Sequence, residues 1–202
     1  NSVSSIGDLE GKTLYSTGKG TTPEYALKTV LDKSGVTADV EYKSEATEVA
    51  SALNAKQISL AMLPQPYVTA VMAQNPNLRI ALSLTEEWEK VMPQSALITG
   101  VVLMRSDFVK NNPESVSDFL ADYRLSTAFV NEEPEKAAKW IEELGIAKAA
   151  VAEKAIPYCN IVCMEGNEMK DKVSGYLSAL YAIDPASVGG TLPDEAFYYL
   201  AA

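Results

Sequence analysis

The sequence predicts an α/β protein with a parallel sheet in its first half and a mostly helical second half. Three observations predict it. From residue 13 to about residue 90, short apolar runs alternate with amphipathic stretches in the order βαβαβαβ. Such alternation with short connections makes a parallel sheet with right-handed crossovers. Residues 105–202 carry helical periodicity almost throughout. The 202 residues are 47% hydrophobic, enough to build one large domain or two small ones.

Asn1 to Asp8 reads as a linker, and the chain shows no charged-then-apolar leader. Thr13–Ser16 is a first strand, running into the glycine loop Thr17-Gly18-Lys19-Gly20. Thr21, Thr22, Pro23 and Glu24 open a helix: a hydroxyl cap, a proline in the first turn and an acid at the positive end of the dipole. Tyr25, Ala26, Leu27, Val30 and Leu31 form its apolar face, and Gly35 closes it. Asp39–Tyr42 is a second strand, after which Ser44 caps a second helix facing inward with Val49, Ala50 and Leu53. The run from Ile58 to Leu63 is apolar enough for a central strand and is broken by Pro64-Gln65-Pro66. A helix over 67–73, a strand over 78–82 and a short acidic helix over 85–90 follow. After Met92-Pro93-Gln94-Ser95, the run from Ala96 to Met104 reads as one more strand, with Gly100 inside it.

Beyond Arg105 the chain predicts helices beginning at Pro113 and Pro134, then over 147–156 and 168–181, and a short last one over 193–200. Amphipathic helices of this kind need a sheet to cover. The strands they require are not in the sequence, so the second half reads as the helical cladding of a partial lobe.

Composition excludes several functions. The net charge of −10 disfavours nucleic acid, which needs clustered Lys and Arg, and also disfavours anionic lipid. The chain has no histidine, so the commonest general base and transition-metal ligand is missing. No nucleophile–base pair is evident, and no metal or cofactor site is expected. Cys159 and Cys163 are expected as free or structural thiols, because a disulfide framework normally has more cysteines at wider spacing. No apolar run is long enough to span a membrane.

The candidate binding residues lie at predicted strand ends, where open parallel sheets bind ligands. Gly18, Lys19, Gly20, Thr21 and Thr22 offer backbone N–H groups and hydroxyls at a helix start, which suits an anion or a polar group. The same pattern also serves as an ordinary strand-to-helix turn. Ser44 follows the second strand, and Gln65, with both a donor and an acceptor, follows the third, next to Pro66. The stretch from Gly7 to Thr13 has the look of a phosphate loop, but it is one residue short between glycines and leads into a strand rather than a helix. Glu86, Glu87 and Glu89 sit at near-consecutive helical positions around Trp88, so they splay as a solvated face instead of converging.

Taken in order, several segments resemble one family. They are Leu9–Glu24 (LEGKTLYSTGKGTTPE), Ala61–Pro66 (AMLPQP), Leu84–Glu89 (LTEEWE), Asn112–Val116 (NPESV) and Gly189–Asp194 (GGTLPD) with Phe197-Tyr198. They resemble the periplasmic-binding-protein-like proteins (type II fold) that serve ABC importers of sulfonates, nitrate, taurine and thiamine precursors. The resemblance implies two α/β lobes joined by crossover strands, closing on a small ligand in the cleft between them. Residues 9–91 would be one complete lobe, 92–100 the return hinge, and 101–202 the C-terminal part of the other lobe, whose opening strands are absent. Family ligand contacts fall by place on Gly18, Gly20, Thr21, Thr22 and Gln65. Many relatives carry an acid before the proline; the neutral Gln65 departs from that and weakens recognition of an amine. The histidine- and cysteine-rich site of some thiamine-precursor relatives is not matched.

The resemblance therefore implies an extracytoplasmic, non-enzymatic solute-binding protein, secreted or lipid-anchored, that delivers a small polar or anionic ligand to a membrane permease. Exposed sheet edges would favour a dimer. Two other readings share the architecture: an effector domain of a transcriptional regulator, and an enzyme of thiamine-precursor synthesis.

Overall fold

The structure is a computed structural model that describes residues 2–200; Asn1, Ala201 and Ala202 lie outside the described residues. The chain divides into two compact units, Asn1–Thr99 with Glu165–Ala202, and Gly100–Met164.

In the first unit β1 (Thr13–Thr17) and β2 (Asp39–Lys43) pair in parallel, with Thr13 opposite Asp39 and Thr17 opposite Lys43. The crossover between them is α1 (Thr22–Ser34). Its start and stop follow the local signals: Thr21 in extended backbone, Pro23 in the first turn, and Gly35 at φ 65 in the left-handed region. Ala26, Leu27, Val30 and Leu31 are buried, as their helical spacing predicts. On the other side of β1, Tyr15 N–H donates to Leu60 O at 3.2 Å, and Met62 N–H donates to Tyr15 O at 2.8 Å. Tyr15 and Ala61 therefore form a parallel bridge that places β1 in the middle. Then come α2 (Ala46–Asn54), α3 (Tyr67–Gln74) and α4 (Leu84–Val91).

Three predicted strands are reduced or missing. The central strand over 58–63 is a single bridge, because only Leu60 to Met62 exchanges hydrogen bonds with β1 before Pro64 removes a donor. The segment 78–82 half-buries Leu78, Ala81 and Leu82, leaves Ile80 exposed and forms no ladder. Ala81 and Leu82 pack beneath α1, while the Arg79 guanidinium donates to the Val3 carbonyl at 2.5 Å. The run 96–104 pairs with no strand among the described residues, and Leu103 is 75% exposed. An apolar extended run becomes a strand only when a neighbour supplies its hydrogen bonds.

The ends differ too. The expected linker is a 3₁₀ turn over Ile6–Leu9 with Val3 fully buried. The Asp8 carboxylate accepts hydrogen bonds from the backbone N–H and hydroxyl of both Ser4 and Ser5. These bonds, the backbone ones first, pull its pKa down to about 2. The helix expected over 193–200 shrinks to a 3₁₀ turn, Glu195–Phe197, started by the Asp194 side chain. Ser44 does not cap α2; Glu45 occupies that place.

Two apolar clusters hold this unit together. Val3, Leu9, Leu14, Leu27 and Leu31 lie between the sheet and α1. On the opposite side of α1, Ala26 and Val30 meet Trp88 of α4 and Tyr176, Ala179 and Leu180 of α9 (Gly166–Ile183). α9 is anchored closely. Lys172 Nζ donates to the carbonyls of Pro93 and Ser95 at 3.2 and 3.3 Å, and a Cβ on Gly175 would stand 3.1 Å from that of Ser95. The glycine is thus what lets the 92–95 turn approach the helix.

The second unit is helical: α5 (Ser106–Asn111), α6 (Pro113–Glu132), α7 (Pro134–Glu143) and α8 (Ala149–Ala155). α5 was not expected from the sequence; the Arg105–Asn111 stretch has no apolar periodicity and buries no residue. Phe129 stacks on Trp140, centroids 4.8 Å apart, tying α6 to α7. Both cysteines are half-buried. Cys159 Sγ donates to the Ala155 carbonyl at 3.3 Å, and burial raises the thiol pKa.

Candidate functional site

The sequence-predicted residues collect at one edge of the first unit. Gly18 leaves β1 directly after the Thr17–Lys43 pair, and Ser44 leaves β2 at the same level. The parallel bridge at Ala61 sends the third segment the same way, so Gln65 and Pro66 emerge from that carboxyl edge as well. Two shallow surface concavities, of about 460 and 590 Å³, lie elsewhere. The first is at the amino end of β1, by Lys12 and Gln57; the second is beside α2, by Tyr15, Glu41 and Glu48. None of the predicted residues lines either.

The loop after β1 is tightly self-bonded. Gly18 and Gly20 have φ of 77 and 76, where other residues are strained. Thr21 donates to the Gly18 carbonyl twice, from its N–H at 3.1 Å and its hydroxyl at 2.6 Å. The Thr21 hydroxyl is therefore used within the turn and does not cap α1. Glu24 folds back so that its carboxylate accepts the Gly20 N–H. This corrects the expectation of an open amide at Gly20: the loop carries its own anion there, stabilised by the positive end of α1. Lys19 is exposed at the tip, and Ser44 is exposed with no bonded partner among the described residues. Thr22, half-buried, begins the helix.

Gln65 is oriented. Its Oε1 accepts from the Thr69 hydroxyl at 2.8 Å and from Thr69 N–H at 3.3 Å, one turn into α3. With the oxygen engaged, its NH₂ is the group left to meet something else, so Gln65 serves the edge as a donor. The peptide bond between Gln65 and Pro66 is cis.

Three residues at this edge were not singled out from the sequence. Glu24 was read only as a helix-start acid, and Thr69 as part of a helix. Tyr42 was read as strand; its phenol lies near Glu24, and burial first and that carboxylate second push its pKa up to about 12. An acid whose folded pKa is raised contributes stability that is fully present below its unfolded value, about 10. It loses that contribution as pH rises toward 12. We expect the urea midpoint of the parent protein to fall more steeply over this window than that of Tyr42→Phe; parallel profiles would show that the phenol does not feel its burial.

Glu86 and Glu89 are exposed as expected, but Glu87 is buried and pairs with Lys90 at 2.6 Å. Trp88 is wholly buried, so it packs and does not overhang the edge.

The profile of the NMT1/THI5-like family matches residues 1–137. The chain belongs to this family. Comparison with curated protein sequences gives no match. Among solved structures, an ABC transporter protein from Parabacteroides distasonis is similar at 26% identity and a TM-score of 0.80, over 94% of this chain and 66% of that one. The alkanesulfonate-binding protein SsuA from Xanthomonas axonopodis pv. citri, bound to MOPS, shares the fold at 15% identity and a TM-score of 0.61, over 100% of this chain and 67% of that one. The chain thus spans about two thirds of the length of each, and its fold is the mixed helix and sheet arrangement of periplasmic binding proteins. Among the described residues no helix of this family member is long and apolar enough to cross a membrane.

Proposed function

We propose that the chain belongs to the solute-binding component of an ABC importer, working outside the cytoplasmic membrane. The observation that carries this reading is the collection of three polar loops at one carboxyl edge of parallel strands, in a chain similar to an ABC transporter protein of P. distasonis. Thr22, the Gln65 amide and the backbone N–H groups of Gly18 and Lys19 hold a small polar molecule. Residues 9–91 form the lobe that carries this edge. The stretch 92–100 is the hinge, and the residues after it lead toward a second lobe of the whole protein, while 165–202 stay with the first unit. Its work is binding and closure, with no bond made or broken, and the closed form is what a permease reads.

The test is a thermal-shift screen of the whole protein against alkanesulfonates, carboxylates, phosphate and small amines. A true ligand at about 100 times its Kd raises stability by about 2.7 kcal/mol, several degrees for a protein of this size. A flat response across the acceptor-bearing members, with turnover of any of them, overturns the reading in favour of an enzyme.

A further inference from the structure

The loop after β1 holds a charge that the proposed site does not yet use. Glu24 follows the cap residue Thr21 in the first turn of α1, where an acid ordinarily folds back to accept the N–H of the cap itself. Here the Thr21 N–H is already bound to the Gly18 carbonyl at 3.1 Å. The Glu24 carboxylate reaches one residue farther and accepts the Gly20 N–H through Oε2, so it lies on the loop itself. An ionised carboxylate has room for about four hydrogen bonds. Among the described residues this one takes only the Gly20 N–H, and no lysine or arginine pairs with it. The side chain is half-buried, and a half-buried charge without a partner is unfavourable until something supplies one. The other charges at this edge do not neutralise it. Lys43 is engaged by Glu48 at 3.9 Å and lies over the Tyr15 ring at 5.9 Å. Lys19 and Glu45 are exposed. The Tyr42 phenol registers the charge: burial first and Glu24 second hold its pKa above the ordinary value.

We propose that Glu24 is the specificity-determining residue of this edge: the ligand presents an amine to its carboxylate, and a bare oxyanion is rejected. This rests on the site reading above and names its ligand class. The chemistry follows from what the start of α1 already holds. An oxyanion drawn to the positive end of the helix meets a negative charge in place there, so the dipole is satisfied from within the chain. An ammonium instead finds an acceptor with lone pairs to spare and gains a charge-assisted hydrogen bond. The Gly18 and Lys19 N–H groups and the Gln65 NH₂ are donors, so the ligand also carries an acceptor atom apart from its amine. Gln65 brings no charge to the edge; Glu24 supplies one from a different loop.

The experiment is an NMR titration of the ¹⁵N-labelled whole protein with butylamine and with butyrate, two probes of equal chain length and opposite charge. The amide signals of Gly18, Lys19 and Gly20 and the side-chain amide of Gln65 report binding at the edge. We expect the parent to bind butylamine about tenfold or more tightly than butyrate, the worth of one charge-assisted hydrogen bond. Glu24→Gln keeps an oxygen for the Gly20 N–H and removes the charge. In it butylamine should weaken about tenfold, while butyrate should strengthen about fivefold, the effect of relieving a like charge about 4 Å away even in water. A merely structural role for Glu24 would weaken both probes alike. Equal affinities in the parent, or a preference for butyrate, with shifts at these groups, overturn the proposal and leave the site reading standing. An unchanged preference in Glu24→Gln, or equal weakening of both probes, does the same. The parent's own preference decides the matter if Glu24→Gln does not fold. No shift at Gly18, Lys19 or Gln65 with either probe overturns the site reading and this proposal together.

Discussion

Gly18→Ala is expected to weaken ligand capture by about five- to 150-fold, the equivalent of the roughly 1–3 kcal/mol of strain that a non-glycine residue meets in this backbone region. Two causes add. The backbone sits at φ 77, which L residues rarely adopt. An added Cβ would also stand 2.8 Å from Thr21 Oγ1 and 2.9 Å from Pro23 Cγ. Neither neighbour yields easily. Thr21 is bonded to the Gly18 carbonyl, and Pro23 is set in the first turn of α1. Relief must come from the loop moving away from the helix start, which displaces the amides and Thr22 together. Gly20→Ala is the control: it shares the backbone strain, φ 76, but its Cβ meets nothing within 4 Å. Titration of both variants with the ligand found by screening, alongside urea unfolding, separates the causes. Equal losses in the two would show that the collision at Gly18 is relieved without moving the site.

The second large effect is on stability. Trp88→Ala should cost about 3–5 kcal/mol, the usual range for deleting a large aromatic from a core. Trp88 is 0% exposed and sits where α1, α4 and α9 meet, against Tyr176, Ala26 and Val30. No single neighbour can collapse into the space, because they belong to two separately anchored helices, α1 and α9. A domain has about 5–15 kcal/mol in total, so the variant should lie near its unfolding threshold at room temperature. Trp88→Phe should cost less than half as much. It leaves a smaller gap, and it removes an indole N–H that is buried without a partner. Urea unfolding of both checks this; a loss under about 1 kcal/mol in Trp88→Ala would mean that the cluster repacks freely.

Local signals in the sequence were strong wherever structure is set by neighbours along the chain. The start of α1 at Thr21-Thr22-Pro23 and its end at Gly35 were both legible, because caps and left-handed glycines act within a few residues. So were the prolines that open α6 and α7. The family was legible for a similar reason: four of the five short segments that carried the resemblance fall within the 1–137 match. The strands over 78–82 and 96–104 were not correctly read. Apolarity there reports a wish for burial, and a ladder depends on which backbone lies alongside. Arg79 found the Val3 carbonyl instead.

Around the site the division is similar. The glycines, the threonines and Gln65 could be placed at strand ends from alternation alone, since a parallel sheet sends all its carboxyl ends to one edge. The state of each group could not. That Glu24 occupies the Gly20 amide and that Thr69 turns Gln65 into a donor depend on how those side chains fold back, and that the Tyr25 hydroxyl donates to the Asp184 carboxylate is an outcome of packing. By itself the sequence determined the α/β class, the helix boundaries and the loops that could meet a ligand, because those follow from period and turn chemistry. Only the tertiary structure decided which hydroxyls and amides remain available. A polar group's role is set by what its nearest neighbour has already taken, whether that neighbour lies a turn away, as Glu24 does from Gly20, or far along the chain, as Asp184 does from Tyr25.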